Sequence, residues 1–265
     1  MRHPLDAEMV RRGLCASLSE ARETIRGGRV TVGGRPALKP GTLVANGEAI
    51  GVSGPGRPFA SRGGEKLAAA LDRFGLDPSG RRCLDAGAST GGFTDVLLER
   101  GAAHVVAVDV GYGQLAWRLR TDPRVTVMDR TNVRDLQPGD LAFPADLVVA
   151  DLAFISLVKV LPALSRVATH RADILLLVKP QFEAERVEVA GGGVVADPVV
   201  RRRAVETVAA ACRSAGAGPM DVAPSPLLGP AGNVEIFLWA RKGEAGRALN
   251  IDAALEVRPK LRRRA

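Results

Sequence analysis

The stretch Asp85-Ala86-Gly87-Ala88-Ser89-Thr90-Gly91-Gly92-Phe93 follows a short apolar run and leads into a helical pattern. Its glycines let the backbone approach a ligand closely, and the start of the following helix offers free N–H donors. Dinucleotide-binding enzymes use a similar strand–loop–helix turn with the spacing Gly-x-Gly-x-x-Gly. The stretch therefore predicts an α/β domain whose first βα loop binds a small ligand.

The ligand is expected to be cationic and free of phosphate, because Asp85 ends the first strand and Ser89 replaces the middle glycine of the dinucleotide pattern. A carboxylate suits the sulfonium and α-amino groups of S-adenosylmethionine. Asp109 ends the second strand, where an acid typically accepts hydrogen bonds from ribose hydroxyls. Asp129 and Asn132, at the end of the third strand, are expected to border the adenine. The predicted cofactor-binding residues are Asp85, Gly87, Ala88, Ser89, Thr90, Gly91, Gly92, Phe93, Asp109, Val110, Asp129 and Asn132.

Two other enzyme classes share parts of this pattern. Gly87 to Gly91 also satisfies the nucleophile elbow of esterases, but His104 and His170 lie at the wrong strand ends for a triad. An NAD dehydrogenase would share Asp109, so only the first loop argues against it.

Unbroken apolar runs alternate with helical patterns from Arg81 onward, and each run ends in a polar residue. This alternation predicts a mostly parallel sheet with helices on both faces. The runs end at Asp85, Asp109, Asp129, Asp151 and Lys179, and a last strand covers Asn233–Arg241. Helices are predicted over Phe93–Arg100, Gln114–Leu119, Leu157–Ala168 and Pro198–Ala215.

A basic module is predicted before this domain. Helices starting at Leu5 and Ser17 precede a hairpin at Gly33-Gly34, and the Gly/Pro-rich joint Gly54–Pro58 marks the boundary. The predicted divisions are a module over residues 1–56, an interdomain linker with the start of the catalytic domain over 57–66, a catalytic domain over 67–242 and a mobile basic tail over 243–265.

The bulk composition indicates a cytoplasmic protein that meets a polyanion. Lys and Arg number 37 against 29 Asp and Glu, which gives a net charge of +8. The three cysteines lack any CxxC pairing, which argues against disulfides and a zinc site and predicts buried thiols. The start of the chain lacks the pattern of a signal peptide, and no apolar run is long enough to span a membrane. We therefore expect no metal and no membrane association.

Four ionisable residues stand at positions that face the ligand crevice. Asp151 and Lys179 end apolar strands, Glu235 lies in the last strand, and Lys66 precedes the first strand of the domain. Each residue alone is compatible with an ordinary structural ion pair. Together they resemble the Lys-Asp-Lys-Glu tetrad of FtsJ-like ribose 2′-O-methyltransferases.

The chain as a whole resembles the TlyA family of ribosomal RNA 2′-O-methyltransferases, which are often catalogued as hemolysins. The resemblance spans nearly the whole chain, and its motifs are Ser61–Gly63, Asp85–Phe93, Asp109–Leu115, Arg130–Asn132, Asp151–Ser156, Val178–Glu183 and Gly232–Glu235. Residues 5–41 resemble an S4-type RNA-binding module. The resemblance implies a Rossmann-like class I methyltransferase domain preceded by a small α+β S4 domain, with S-adenosylmethionine as cofactor.

The resemblance also implies a substrate and roles for the tetrad. The target is a cytidine ribose in 16S or 23S ribosomal RNA, with ribosomal subunits as partners. A neutral Lys179 amine would take the hydroxyl proton, Asp151 would orient it, and Glu235 would hold Lys66 or the ribose. The predicted RNA-binding residues are Arg11, Arg12, Arg22, Arg26, Arg29, Lys39 and Arg62.

Departures from the family pattern fall at Asp129, which is usually Glu, at the interdomain segment 57–60, at residues 184–190, and at the start of the second helix, which lacks a Ser-Arg pair. Two other functions stay open: a non-catalytic RNA-binding or ribosome-assembly factor, and a membrane-lytic hemolysin. The intact tetrad argues against the first, and the absence of a strongly amphipathic apolar helix argues against the second.

Overall fold

The first fifty residues form an α+β module with two helices and two small sheets. Its helices are α1 (Leu5–Arg11) and α2 (Leu18–Arg26). Strand β1 (Arg2–Pro4) pairs with β4 (Leu43–Ala45), while β2 (Val30–Val32) pairs with β3 (Arg35–Pro36) and β5 (Ile50–Val52). The protein is described here from a computed structural model, which covers residues 2–15, 17–52 and 59–256.

Local sequence signals explain most of this module. Ser17 accepts a hydrogen bond from the backbone N–H of Glu20 at 3.2 Å, as a helix N-cap should. Gly33 and Gly34 have φ angles of 55° and 78°, which is the left-handed geometry of a two-residue hairpin turn. These features confirm the predicted second helix and hairpin. The pairing of β1 with β4 was not predicted, because strands of three residues carry no periodic pattern.

A seven-stranded sheet forms the centre of the larger domain. Its strands are β6 (Arg82–Ala86), β7 (His104–Val108), β8 (Val125–Met128), β9 (Ala145–Ala150), β10 (Ala168–Val178), β11 (Ala217–Pro224) and β12 (Ile236–Lys242). They lie in the order β11-β12-β10-β9-β6-β7-β8. Strand β12 runs antiparallel to its neighbours β10 and β11, and the other six strands run in one direction. The prediction of a mostly parallel sheet is confirmed.

Helices cover both faces of this sheet, as the unbroken apolar strands require. One face packs against α3 (Arg62–Phe74), α4 (Gly92–Glu99) and α5 (Trp117–Arg120). The other packs against α6 (Leu157–Arg166), α8 (Pro198–Ser214) and α9 (Ile251–Glu256), while α7 (Pro180–Glu183) follows β10. Consecutive residues such as Cys83 and Leu84 belong to the two opposite cores.

Two parts of the larger domain differ from the sequence expectations. Strand β11 was missed, because Gly218, Pro219 and Pro224 interrupt its apolar pattern; it is an edge strand, where a missing backbone N–H is tolerated. The prediction of a mobile basic tail from residue 243 is wrong for residues 243–256. That segment carries α9, whose Ile251 and Ala254 are buried in the core.

All three cysteines are buried, as predicted. The predicted joint Gly54–Pro58 and residues 257–265 lie outside the described residues. Among the helices of the described ranges, none combines the length and the apolarity that crossing a bilayer demands.

Candidate active site

The loop between β6 and α4 packs closely against its surroundings. At two of its glycines, a side chain would strain the backbone and collide with neighbouring atoms. A Cβ at Gly87, whose φ is 89°, would lie 2.5 Å from the backbone oxygen of Asp151. A Cβ at Gly91, whose φ is 97°, would collide with Leu115 and Leu119. The loop therefore lies directly against the ends of the neighbouring strands, where a ligand of an open α/β sheet binds.

Asp85 is the penultimate residue of β6 and is completely buried. Its Oδ2 accepts hydrogen bonds from the backbone N–H and the hydroxyl of Thr94, at 2.8 and 2.7 Å. Its Oδ1 has no hydrogen-bond partner within the described part of the chain. Burial raises the pKa of this carboxyl to about 7. A buried acceptor without a donor, beside a loop whose backbone packs closely at Gly87 and Gly91, fits a ligand that brings a cation or an N–H group.

The acids at the ends of the next two strands organise the surrounding loops. Asp109 accepts the backbone N–H groups of Ser89 at 2.8 Å and Gly111 at 2.7 Å, so it ties the loop after β6 to the loop after β7. Asp129 accepts from Arg120 at 2.7 Å, and this bond lowers the pKa of its carboxyl. Asn132 caps a short 3₁₀ turn through the N–H of Arg134.

The four predicted catalytic residues meet as two ion pairs. Lys66 Nζ lies 2.5 Å from Glu235 Oε2, and Lys179 Nζ lies 2.5 Å from Asp151 Oδ1. Glu235 is fully buried just before β12, and Lys66 is 7% exposed within α3. Buried charges of this kind persist only when they are paired.

A cavity of about 420 Å³ joins the tetrad to the glycine loop. All four tetrad side chains line it, together with the predicted residues Arg62, Gly87, Ala88, Ser89, Thr90, Gly92 and Phe93. The predicted cofactor residues Asp85, Gly91, Asp109, Val110, Asp129 and Asn132 are not among its lining residues. Helix α2 of the amino-terminal module also reaches this cavity through Glu20 and Glu23.

An exposed aromatic stands beside the Asp151–Lys179 pair. Phe154 is 92% exposed, and its backbone adopts the left-handed region with φ 63°. Its ring centroid lies 5.3 Å from that of Phe182, two residues after Pro180, the first residue of α7. Both residues lie within the family motifs, but no role was predicted for either. The sequence signal that could have identified Phe154 is its position three residues after Asp151, the acid that follows a strand.

The predicted RNA-binding residues fall into two groups. Arg11 and Arg12 both bind Glu8, and Arg12 also donates to the backbone oxygens of Ala45, Asn46 and Glu48 at 2.7 to 3.0 Å. Arg22 pairs with Asp6 at 2.7 Å. The remaining predicted cations, Arg26, Arg29, Lys39 and Arg62, are exposed.

Comparisons with known proteins agree with this geometry. The model of the FtsJ-like methyltransferase family matches residues 59–242, and that of the S4 domain matches residues 4–50. A protein of Mycobacterium tuberculosis named 16S/23S rRNA (cytidine-2′-O)-methyltransferase TlyA is 56% identical, over 93% of this chain and 92% of its own. Hemolysin A of Brachyspira hyodysenteriae is 35% identical over 87% of this chain and 96% of its own.

A solved structure from Streptococcus thermophilus that carries a hemolysin name is 34% identical with a TM-score of 0.76. It covers 96% of this chain, and the match covers 94% of that chain. The likeness therefore extends over both the amino-terminal module and the larger domain. This chain belongs to the TlyA family of FtsJ-like methyltransferases that carry an S4 domain.

Proposed function

We propose that this protein transfers a methyl group from S-adenosylmethionine to the 2′-hydroxyl of a cytidine ribose in ribosomal RNA. The observation that carries the proposal is the convergence of Lys66, Asp151, Lys179 and Glu235 on one cavity with the glycine loop. The name of the 56% identical relative supports both the ribose position and the cytidine. We further infer that the protein acts in the cytoplasm and that ribosomal subunits are its substrate.

The residues around the glycine loop fit this cofactor. The unbonded Oδ1 of Asp85 suits a cationic or N–H group, and Asp109 would share its carboxylate with ribose hydroxyls. Asp129 and Asn132 would border the adenine from the loops after β8. S-adenosylmethionine supplies a methyl group that its sulfonium has already activated.

The protein must then align the ribose hydroxyl and receive its proton. We assign proton acceptance to Lys179, whose ammonium is paired with Asp151 at 2.5 Å and must first lose a proton. Asp151 holds the Lys179 side chain in line with the reacting hydroxyl. The buried Lys66–Glu235 pair fixes the opposite wall of the cavity and holds the ribose.

The target base would stack on Phe154. An exposed aromatic ring beside the catalytic pair offers a flat surface to an unstacked base, and stacking of this kind tolerates any base. A nucleotide that lies within a duplex would have to be flipped out to reach this surface. The exposed cations Arg26, Arg29 and Lys39 would hold the phosphate backbone outside the cavity, and Arg62 would do so at the cavity wall.

The test is to map ribose methylation across ribosomal RNA after incubating purified protein with unmethylated ribosomal subunits and S-adenosylmethionine. We expect a cytidine 2′-O-methyl group to appear, and none with a Lys179→Ala variant. RNA binding without methylation would support an assembly factor instead. Lysis of cells or vesicles by the same preparation, without methylation, would support the hemolysin function.

A further inference from the structure

Glu183 links the two segments that carry the Asp151–Lys179 pair. It ends α7, four residues after Lys179, and its side chain reaches the segment after β9. Its Oε2 accepts the hydroxyl of Ser156 at 2.5 Å, and its Oε1 accepts the backbone N–H of Leu157 at 2.7 Å. Both carboxylate oxygens of Glu183 therefore accept hydrogen bonds from the segment that follows β9, whereas Glu183 itself lies in the segment that follows β10.

This link bears on Phe154, which lies between Asp151 and Ser156. A non-glycine residue in the left-handed region persists only where the surrounding structure holds it there. On one side, the backbone N–H of Asp151 donates to Ala86 at 3.0 Å and fixes the end of β9. On the other side, Glu183 fixes Ser156 and Leu157. The four residues between these anchors, 152–155, have little freedom to relax.

The contacts of Glu183 exceed what the start of α6 needs. Ser156 already caps this helix, because its hydroxyl oxygen accepts the N–H of Val158 at 3.2 Å. The carboxylate adds a second acceptor from outside the helix, and Phe182, the residue before it, packs on Phe154. Helix α7 therefore contacts the ring of Phe154 through Phe182, and it fixes the backbone that follows Phe154 through Glu183.

We propose that Glu183 is a positioning residue for methyl transfer: it anchors Ser156 and Leu157 and thereby holds Phe154 as the stacking surface for the target base. This inference rests on the proposed function. Glu183 touches neither the cofactor site nor the tetrad, so its influence passes through the segment 152–156.

The test uses the full chain with ribosomal subunits as substrate and compares Glu183→Ala with Glu183→Gln. Removal of the carboxylate should lower kcat/KM about 10- to 100-fold through misplacement of the target nucleotide. Affinity for S-adenosylmethionine should stay unchanged. Glu183→Gln should retain most activity, because the amide can accept from Leu157 and donate to Ser156. Glu244→Ala, an exposed glutamate after β12, is the control.

Two further measurements separate positioning from general destabilisation. The double variant Glu183→Ala/Phe154→Ala should lose no more activity than Phe154→Ala alone, since the first change acts through the second. Amide exchange at Leu157 should accelerate in Glu183→Ala while the core strands stay protected. If Glu183→Ala does not fold, Ser156→Ala breaks the same link with a smaller change and should give the same pattern.

Several outcomes would overturn the inference. Equal loss in the Gln and Ala variants would mean that the carboxylate acts chemically, and additive losses would mean that it does not act through Phe154. Unchanged exchange at Leu157 would remove the structural basis, whatever the activity. If the unmodified protein methylates no ribosomal RNA, the proposed function fails, and the exchange measurement still decides whether Glu183 anchors the segment.

Discussion

Lys179 follows a strand whose last seven residues are buried, and its ammonium is bound to Asp151. If Lys179 is the proton acceptor, Lys179→Ala should reduce methyl transfer by about 10²- to 10⁴-fold and leave cofactor binding nearly intact. Lys179→Arg should be almost as damaging, because a guanidinium does not release its proton at working pH. Single-turnover rates and calorimetry would measure both effects. Restored turnover with Arg would show that the residue serves as a fixed positive charge.

A second prediction rests on Asp85 and concerns the pH dependence of cofactor affinity. Because burial raises the pKa of its carboxyl to about 7, the group is largely protonated below that value and ionised above it. A cationic ligand favours the ionised form, so affinity for S-adenosylmethionine should rise as the pH increases through 7 and then level off. Calorimetry on both sides of that pH would measure the slope. Asp85→Asn should bind more weakly with no slope, and an equal slope in that variant would assign the titration to another group.

The structural role of Arg12 could not be predicted from the sequence. Its guanidinium is bound to Glu8 and to carbonyls that lie 33 to 36 residues further along the chain. A count of charges on a helix cannot reveal that a cation is used inside the module. The left-handed backbone of Phe154 was equally hidden, because phenylalanine does not favour that conformation. Asp151 and Lys179 could be predicted because strand ends place charged residues at a known edge of the sheet. Lys66 and Glu235 were joined to them only through the family resemblance.

At the scale of the element, adding a single methyl group at Gly87 tests how closely the loop between β6 and α4 packs. Gly87→Ala would place a Cβ against the backbone of Asp151 and force a left-handed alanine, so cofactor affinity should fall by at least about 10-fold. Gly139→Ala is the matched control, because a Cβ there meets no atom within 4 Å. Calorimetry and thermal unfolding of both variants would check this. Unchanged affinity in Gly87→Ala would show that the loop can shift freely.

The helices and loops of the amino-terminal module should differ in their contribution to RNA affinity. Replacing the exposed Arg26 and Lys39 by alanine should weaken RNA binding and reduce the slope of log affinity against log salt by about 1.5 to 2. Arg12→Ala should instead lower the thermal stability of the module, since it removes bonds to three carbonyls. Filter binding across a salt series would measure the slope. Arg171→Ala with Arg213→Ala removes the same charge elsewhere and should leave the slope unchanged.

The elements themselves were predictable in proportion to their length and regularity. The strands of the parallel sheet are continuous apolar runs, and periodicity identifies such runs directly. Helix α9 lies in a segment with enough apolar residues for two turns, but its position after a basic-looking boundary concealed it. Strand order and the packing of α7 beside Phe154 depend on contacts between distant segments, which a single sequence does not display.

On the scale of the whole molecule, two separately built parts meet at one cavity. Glu20 and Glu23 of α2 line it from the amino-terminal side, and the tetrad lines it from the larger domain. We propose that the RNA-binding module covers residues 1–56 and that the catalytic domain includes α3 and α9. The predicted start at residue 67 falls inside α3, which carries Lys66. The sequence predicted both parts but not that a helix of the first would border the reaction site of the second.

The ion pair between Lys66 and Glu235 has a consequence for the order in which the protein is made. Its two residues are 169 positions apart, and β12, which follows Glu235, inserts between β10 and β11. A nascent chain therefore displays its glycine loop long before it contains the residue that completes the catalytic tetrad. We expect a chain that ends before Glu235 to lack the buried partner of Lys66 and therefore to be inactive in methyl transfer.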